Sequence, residues 1–242
     1  SIEDHIAKAL RQNIPVYTKF FNQAEQCYIE KLFVGADDVK YVKDGGYEEA
    51  ERCIFTIYSA FIDYNMFHYI PIKVLKLEWN GLYSKVEHRD ILGAILGLGI
   101  KREIIGDIIV DDHMAYVFVV EDMAHYIAQN LQRVGTASVT VECFDIEEID
   151  VIVPKPKSIV SVVPSLRLDC IVSAGFGMSR NKSLSMVKAG RVMLNWEVCT
   201  KPAQEVEPGD IITIRGKGRI RFRNTIRMTK KNRLSIEIER YM

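Results

Sequence analysis

"GFGMSRNKSLSMVKAGRVMLNW", residues 175–196, poses a problem in electrostatics. Ser179 is a residue that caps helices and Gly190 one that ends them, so the segment between reads as a short helix. Its first turn carries Arg180 and Lys182, where the helix dipole favours an acid by ~0.3–1 kcal/mol. The free N–H groups of that turn attract anions too. Together they read as an anion-binding corner, with arginine supplying a planar fork suited to phosphate. The competing reading leaves both side chains in solvent.

The flanking sequence adds to the same pattern. Pro164 and Ser165 open a preceding helix, "LRLDCIVSAG", with Leu168, Ile171 and Val172 as its buried stripe and Gly175 as its end. Leu184 and Val187 form the inner face of the second helix. Arg167 lies on the first helix, and Lys188 and Arg191 flank Gly190. "RVMLN" reads as a strand, and "VEPGDIITIRG" as a turn and a second strand. Beyond them, "GKGRIRFRNTIRMTKKNRLSIEIE" alternates, with Arg219, Arg221 and Arg223 on one face of a strand and Ile220 and Phe222 on the other. Three aligned cations repel one another unless a polyanion covers them. An edge strand protected by charge is the other reading.

The whole chain of 242 residues is formally neutral. That balance hides an asymmetry: residues 1–153 hold 14 Lys and Arg against 25 Asp and Glu, and residues 154–242 hold 18 against 7. A basic end on an acidic body suggests a face for nucleic acid, or else two oppositely charged domains packed together. The longest apolar run, "ILGAILGLGI", has ten residues, and a membrane helix needs about 20. No signal peptide is expected, because the N-terminus lacks a basic start followed by an apolar core. The five cysteines, at 27, 53, 143, 170 and 199, form no metal-ligand spacing and are expected to be buried and reduced.

The fold class expected is α+β in three modules. "VPKPKSIVSVVPS" carries three prolines and reads as an extended linker, assigned to residues 154–164. Residues 1–70 read as a helical module with a strand or two. In "YTKFFNQAEQCYIEKLF", Phe20, Phe21, Ala24, Cys27, Tyr28 and Leu32 fall at helical spacing. Residues 71–153 read β-α-β-β-α-β: "IKVLKLEW", "HRDILGAILGLG", "GDIIVDD", "AYVFVVE", "EDMAHYIAQNLQRVG" stopped by Gly135, and "SVTVECFDI". That order is ferredoxin-like. Tyr116 and Phe118 share a face, but the basic-Gly-aromatic signature of a base-stacking module is absent, so RNA is not assigned to this module. Residues 165–242 form the basic module.

"LRLDCIVSAGFGMSRNKSLSMVKAGRVMLNW" with "VEPGDIITI" resembles the S-four RNA-binding domain over about residues 165–214, through Arg167-Leu168-Asp169, Ser179-Arg180, Gly190, Val192, Asn195 and Gly209-Asp210. The resemblance implies that Arg167, Arg180, Lys182, Lys188 and Arg191 grip structured RNA. Met178 and Ser183 depart from the residue types expected there. "GGYEEAER", "HRDILGAILGLGIKREIIGDI" and "GKGRIRF" are similar to motifs of YlmH-type bacterial and chloroplast proteins, over nearly the whole chain. That implies a cytoplasmic or plastid-stromal RNA-binding protein of the ribosome. Members are linked to large-subunit and tRNA binding in ribosome-associated quality control, and to a cell-division gene neighbourhood.

Enzymatic readings are weaker. "RLD" at 167–169 resembles the catalytic stretch of pseudouridine synthases, but only 73 residues follow Asp169, too few for their catalytic sheet. "HRD" at 88–90 lacks the kinase asparagine, since position 95 is Ile. "GLG" at 97–99 sits at a helix end rather than in a strand-to-helix turn. The five histidines form no ligand pair, and "DIIVDDH" reads as a solvated turn or a cation site. The sequence therefore predicts a monomeric, non-catalytic RNA-binding protein without cofactor, metal or membrane contact. Its acidic N-terminal part would face solvent or a protein partner. The RNA-binding set is Arg167, Ser179, Arg180, Lys182, Lys188, Arg191, Asn195, Lys217, Arg219, Arg221 and Arg223.

Overall fold

The computed structural model describes residues 1–63, 69–80, 85–151 and 156–241. The chain divides into two compact units, Ser1–Val153 and Pro154–Met242. Thus the 1–70 and 71–153 modules share one unit.

Helix α1 (Ile2–Gln12) is opened by a reciprocal cap in which Ser1 accepts from the Asp4 N–H. Strand β1 (Val16–Tyr17) leads to α2 (Gln23–Leu32), which starts later than the hydrophobic spacing suggests. Asn22 caps it, accepting from the Glu25 N–H at 3.0 Å. Phe20 and Phe21 are therefore not helical. Phe21 bridges to Cys53, and Phe20 is 1% exposed in the core. Strands β2 (Val39–Asp44) and β3 (Ile54–Ser59) complete a sheet of order β1-β3-β2. Phe55 and Ile57 of β3 pack with Ala9 of α1 and Ile29 of α2, while Ile54 points the other way.

The ferredoxin-like order appears as expected. It runs β4 (Ile72–Trp79), α3 (His88–Gly97), β5 (Ile105–Asp111), β6 (Met114–Val120), α4 (Glu121–Asn130), a short β7 (Arg133–Val134) and β8 (Ala137–Asp145). The antiparallel sheet has the order β5-β6-β4-β8-β7. Gly135 does not stop α4, which ends at Asn130; it turns the small β7–β8 hairpin at φ +57°. Leu75, Leu77, Val117 and Val119 pack with Ile91 and Ile95 of α3 and Ile127 of α4. The other face of the sheet carries Ile72, Val74, Tyr116 and Phe118, and these pack on Phe20 and Ile54 of the N-terminal module. Period-two alternation in two sheets thus produces one shared core.

A polar clasp fastens the two modules. The Asp107 carboxylate accepts from the Tyr47 hydroxyl at 2.8 Å, the Glu51 N–H at 2.6 Å and the Arg52 N–H at 3.2 Å. Arg52 in turn donates to the Ile105 carbonyl at 2.9 Å and the Phe20 carbonyl at 3.1 Å. Asp107 is thus committed to structure, and among the described residues no cluster is suited to a metal ion.

The second unit is a six-stranded antiparallel sheet covered by two helices. The segment read as a linker enters this sheet. Residues 157–163 form β9 (Lys157–Val163), and residues 154 and 155 of that segment lie outside the described residues. Pro156 and Pro164 bracket the strand without interrupting its ladder, so they exclude a helix but not a strand. The order β11-β10-β12-β13-β14-β9 comprises β10 (Val192–Leu194), β11 (Glu197–Val198), β12 (Ile211–Ile214), β13 (Gly218–Met228) and β14 (Leu234–Tyr241). Helices α5 (Leu168–Phe176) and α6 (Arg180–Lys188) pack over Ile212, Ile220, Phe222, Ile236 and Ile238. Gly175 lies inside α5 and does not end it: a Cβ there would come within 2.4 Å of Ile220 Cδ1, so the glycine lets the helix approach the sheet. Gly177, at φ +61°, ends α5.

All five cysteines are free, but only Cys53 and Cys170 are buried; Cys27, Cys143 and Cys199 are half-buried. Burial pushes the Cys53 thiol up to about 11, so it stays protonated near neutrality. Alkylation of the folded protein at pH 8, followed by peptide mass mapping, should label Cys27 or Cys199 before Cys53. Replacing Asp107 with Ala should cost about 1–3 kcal/mol in urea unfolding, because it removes the charged acceptor of the Tyr47 hydroxyl and of the Glu51 and Arg52 N–H groups.

Candidate nucleic-acid interface

Helix α6 is short because its caps are close together. The Ser179 hydroxyl accepts from the Lys182 N–H at 3.3 Å, and Gly190 adopts φ +66° beyond the other end. Ser183 and Val187 face inward with Leu184 half-buried, so the inner stripe expected from Leu184 and Val187 is centred one residue earlier. Ser183, the unexpected residue type, has a reason: its hydroxyl donates to the Asp169 carbonyl at 2.6 Å and ties α6 to α5.

The side chain of Asp169 answers the electrostatic problem of α6. It is 1% exposed and lies in the first turn of α5, where an acid suits the dipole. Arg167 Nε donates to Oδ1 at 3.0 Å, and Arg180 Nε reaches Oδ2 at 3.4 Å. The positive ends of both helices therefore share one internal carboxylate. An external phosphate is not required to explain Arg180. Because Asp169 is enclosed and held by two guanidinium groups, it is also unsuited to attack a uridine.

Both arginines remain about half exposed, at 41% and 53% of their side chains, so their outer N–H groups face solvent. Lys182, Lys188 and Arg191 are exposed, and among the described residues they make no ion pair. These five cations lie on the helical layer of the unit. Asn195 and Ser179 differ from them. The Asn195 amide donates to Asp210 at 2.8 Å and accepts from the Ile211 N–H at 3.0 Å, holding a turn in which its own φ is 47°. The Ser179 hydroxyl is occupied in its cap. Both position the surface.

The strand arginines form a separate group. Ile220 and Phe222 point into the core beneath α5 and α6, so Arg219 and Arg221 project from the opposite face of the sheet. Their repulsion is relieved by the neighbouring strand. Arg219 sits 4.3 Å above the Tyr241 ring, Arg221 lies 3.9 Å from Glu239, and Arg223 lies 3.3 Å from Glu239. Lys217 is exposed in the β12–β13 turn. The eleven residues read from sequence therefore divide between a helical face, an opposing sheet face and a turn.

Comparison with known proteins fits this geometry. Residues 166–212 match the S4 domain, and residues 67–148 match a family described as "Putative RNA-binding domain in YlmH". The chain is 30% identical over 223 residues to "Ribosome-associated protein quality control protein P2" of Bacillus subtilis (strain 168), covering 92% of this chain and 86% of that protein. This chain belongs to the YlmH family. Its S4 region also resembles the small ribosomal subunit protein uS4 of Thermosipho africanus (strain TCF52B), at 37% identity over 82 residues, 31% of this chain and 39% of that one. A solved structure titled "Cell division protein ylmH from Streptococcus pneumoniae" is 22% identical, covers 61% of this chain and 90% of that chain, and gives a TM-score of 0.49.

The YlmH-domain match falls on the module to which the sequence assigned no RNA. Its sheet face is closed: Tyr116 and Phe118 are 5% and 0% exposed beneath the N-terminal module. These aromatics cannot stack on bases.

Replacing Asp169 with Ala should lower the unfolding free energy of the second unit by about 1–3 kcal/mol, read by urea denaturation, because it frees two half-exposed arginines and empties a buried polar site.

Proposed function

We propose that this protein binds structured RNA without catalysis, through the helical face of its S4 domain, and that it does so on the ribosome. The observation that carries this reading is the set of exposed cations Lys182, Lys188 and Arg191 beside the braced pair Arg167 and Arg180. A rigid array of this kind recognises phosphate positions and RNA shape rather than a base sequence. The Bacillus relative is named for ribosome-associated quality control, which supports a place in translation quality control here. The large subunit and its tRNA are the surfaces we favour, with the protein acting as a cytoplasmic monomer. No helix among the described residues is long and apolar enough to cross a membrane. The acidic N-terminal part, with its closed sheet face, is left to solvent or a protein partner.

Co-sedimentation with ribosomes tests the reading. Changing Lys182, Lys188 and Arg191 together to Ala should abolish it at physiological salt while the circular dichroism spectrum and Tm stay unchanged. Arg180→Ala is a less clean probe, because it also removes a partner from Asp169. Unchanged sedimentation of the triple variant would overturn the proposal. Mass mapping of RNA incubated with the protein should show no new modification.

A further inference from the structure

Residues 211–236 contain nine Lys and Arg and not one Asp or Glu. The structure disposes of three of them: Arg219 rests on Tyr241, and Arg221 and Arg223 lie against Glu239. Four others, Arg227, Lys230, Lys231 and Arg233, gather at the far end of the β13–β14 hairpin, all exposed, and among the described residues they make no ion pair.

The hairpin tip is built to hold its shape. The Thr229 N–H donates to the Arg233 carbonyl at 2.7 Å, and the Asn232 N–H to the Thr229 carbonyl at 3.0 Å. The Arg233 N–H donates to the Thr229 hydroxyl at 3.1 Å. Asn232 takes φ +55°. This is a three-residue hairpin loop with a left-handed third position, which asparagine tolerates. Lys230 and Lys231 are thereby presented side by side at the apex. Ile226 and Met228, 50% and 64% exposed, flank them with apolar surface.

The tip also lies near the helical cations. Val163, the last residue of β9, pairs with Leu234, the first residue of β14 after the tip. Four residues later the chain reaches Arg167 and the start of α5. The far end of α5 lies over the other end of the sheet, where Gly175 meets Ile220 and Phe176 lies under Arg240. The Arg167–Asp169–Arg180 corner and the hairpin tip are therefore at the same end of the unit. Lys217 is at the opposite end of the eleven-residue β13, roughly 33 Å away along the strand.

We infer that the β13–β14 hairpin is a second RNA-binding arm, contacting backbone phosphates through Arg227, Lys230, Lys231 and Arg233 of the same RNA that the α5–α6 corner grips. It lies beyond residue 212, outside the S4 match. The inference rests on the proposed RNA-binding function, and deepens it by adding a contact site.

Filter binding of the full chain to deproteinised large-subunit rRNA, across about 50–200 mM salt, separates the two claims. Each phosphate that the protein no longer neutralises should lower the slope of log affinity against log salt by about 1. Lys230→Gln with Lys231→Gln changes only the apex and leaves the ladder intact. It should bind roughly tenfold more weakly and reduce the slope by about 2. Adding Arg227→Ala and Arg233→Ala should extend both effects, with the Tm unchanged. If both hairpin variants bind with wild-type affinity and slope while the Lys182, Lys188 and Arg191 variant does not bind, the arm is disproved and the RNA-binding function stands. That outcome would also be expected of a hairpin serving an acidic protein or an anionic bilayer. If the wild-type chain does not bind the rRNA, both fall.

Discussion

The carboxylate of Asp169 is the constraint on which the rest of the candidate interface depends. Two short helices bring their positive ends to one place, and each adds an arginine. Without an internal anion that arrangement would be repulsive, and the arginines would be free to turn away. With it, the two guanidinium groups are fixed and still keep part of their surface for a ligand. The same residue's main-chain carbonyl takes the Ser183 hydroxyl, so side chain and backbone together set the angle between α5 and α6. Burial strengthens the attraction by lowering the local dielectric, while the exposed sides of the arginines limit its value for stability.

The formal charge of the C-terminal unit overstates the positive surface it offers. Tyr241 and Glu239 on β14 lie opposite Arg219 and Arg221 in the strand register and temper the sheet face from within. On the helical layer Asp169 braces Arg167 and Arg180, while among the described residues Lys182, Lys188 and Arg191 make no ion pair. The potential available to a polyanion is therefore concentrated on Lys182 and Lys188 of α6, on Arg191, and at the tip of the β13–β14 hairpin.

In the first unit the same economy applies to apolar surface. A ferredoxin-like sheet has one face covered by its own helices and a second that must be solvated or covered. Here Phe20, Ile54 and Tyr47 cover it, and Asp107 fastens the covering loop. The module's fold permits base stacking in other proteins, but here burial of Tyr116 and Phe118 removes that surface. The fold alone did not determine the use of this face.

Local rules carried much of this protein's description. Alternation and helical spacing determined the β-α-β-β-α-β order. Ser179 and Gly190 determined the limits of α6, and the pattern 219–223 determined which residues share a strand face, because each signal acts within a few residues. Asn22, which cuts α2 short of Phe21, was just as local a signal, but the aromatic spacing around it masked it. Pairing across the chain was decided only by the tertiary structure. Residues 157–163 became a strand because β14 offered a free edge, and Gly175 stayed inside a helix because Ile220 lies against it. Arg180 found its counter-charge in Asp169, eleven residues away, and the strand arginines found theirs on β14. Composition counts charges, but only the folded backbone decides which of them meet and which remain for a partner.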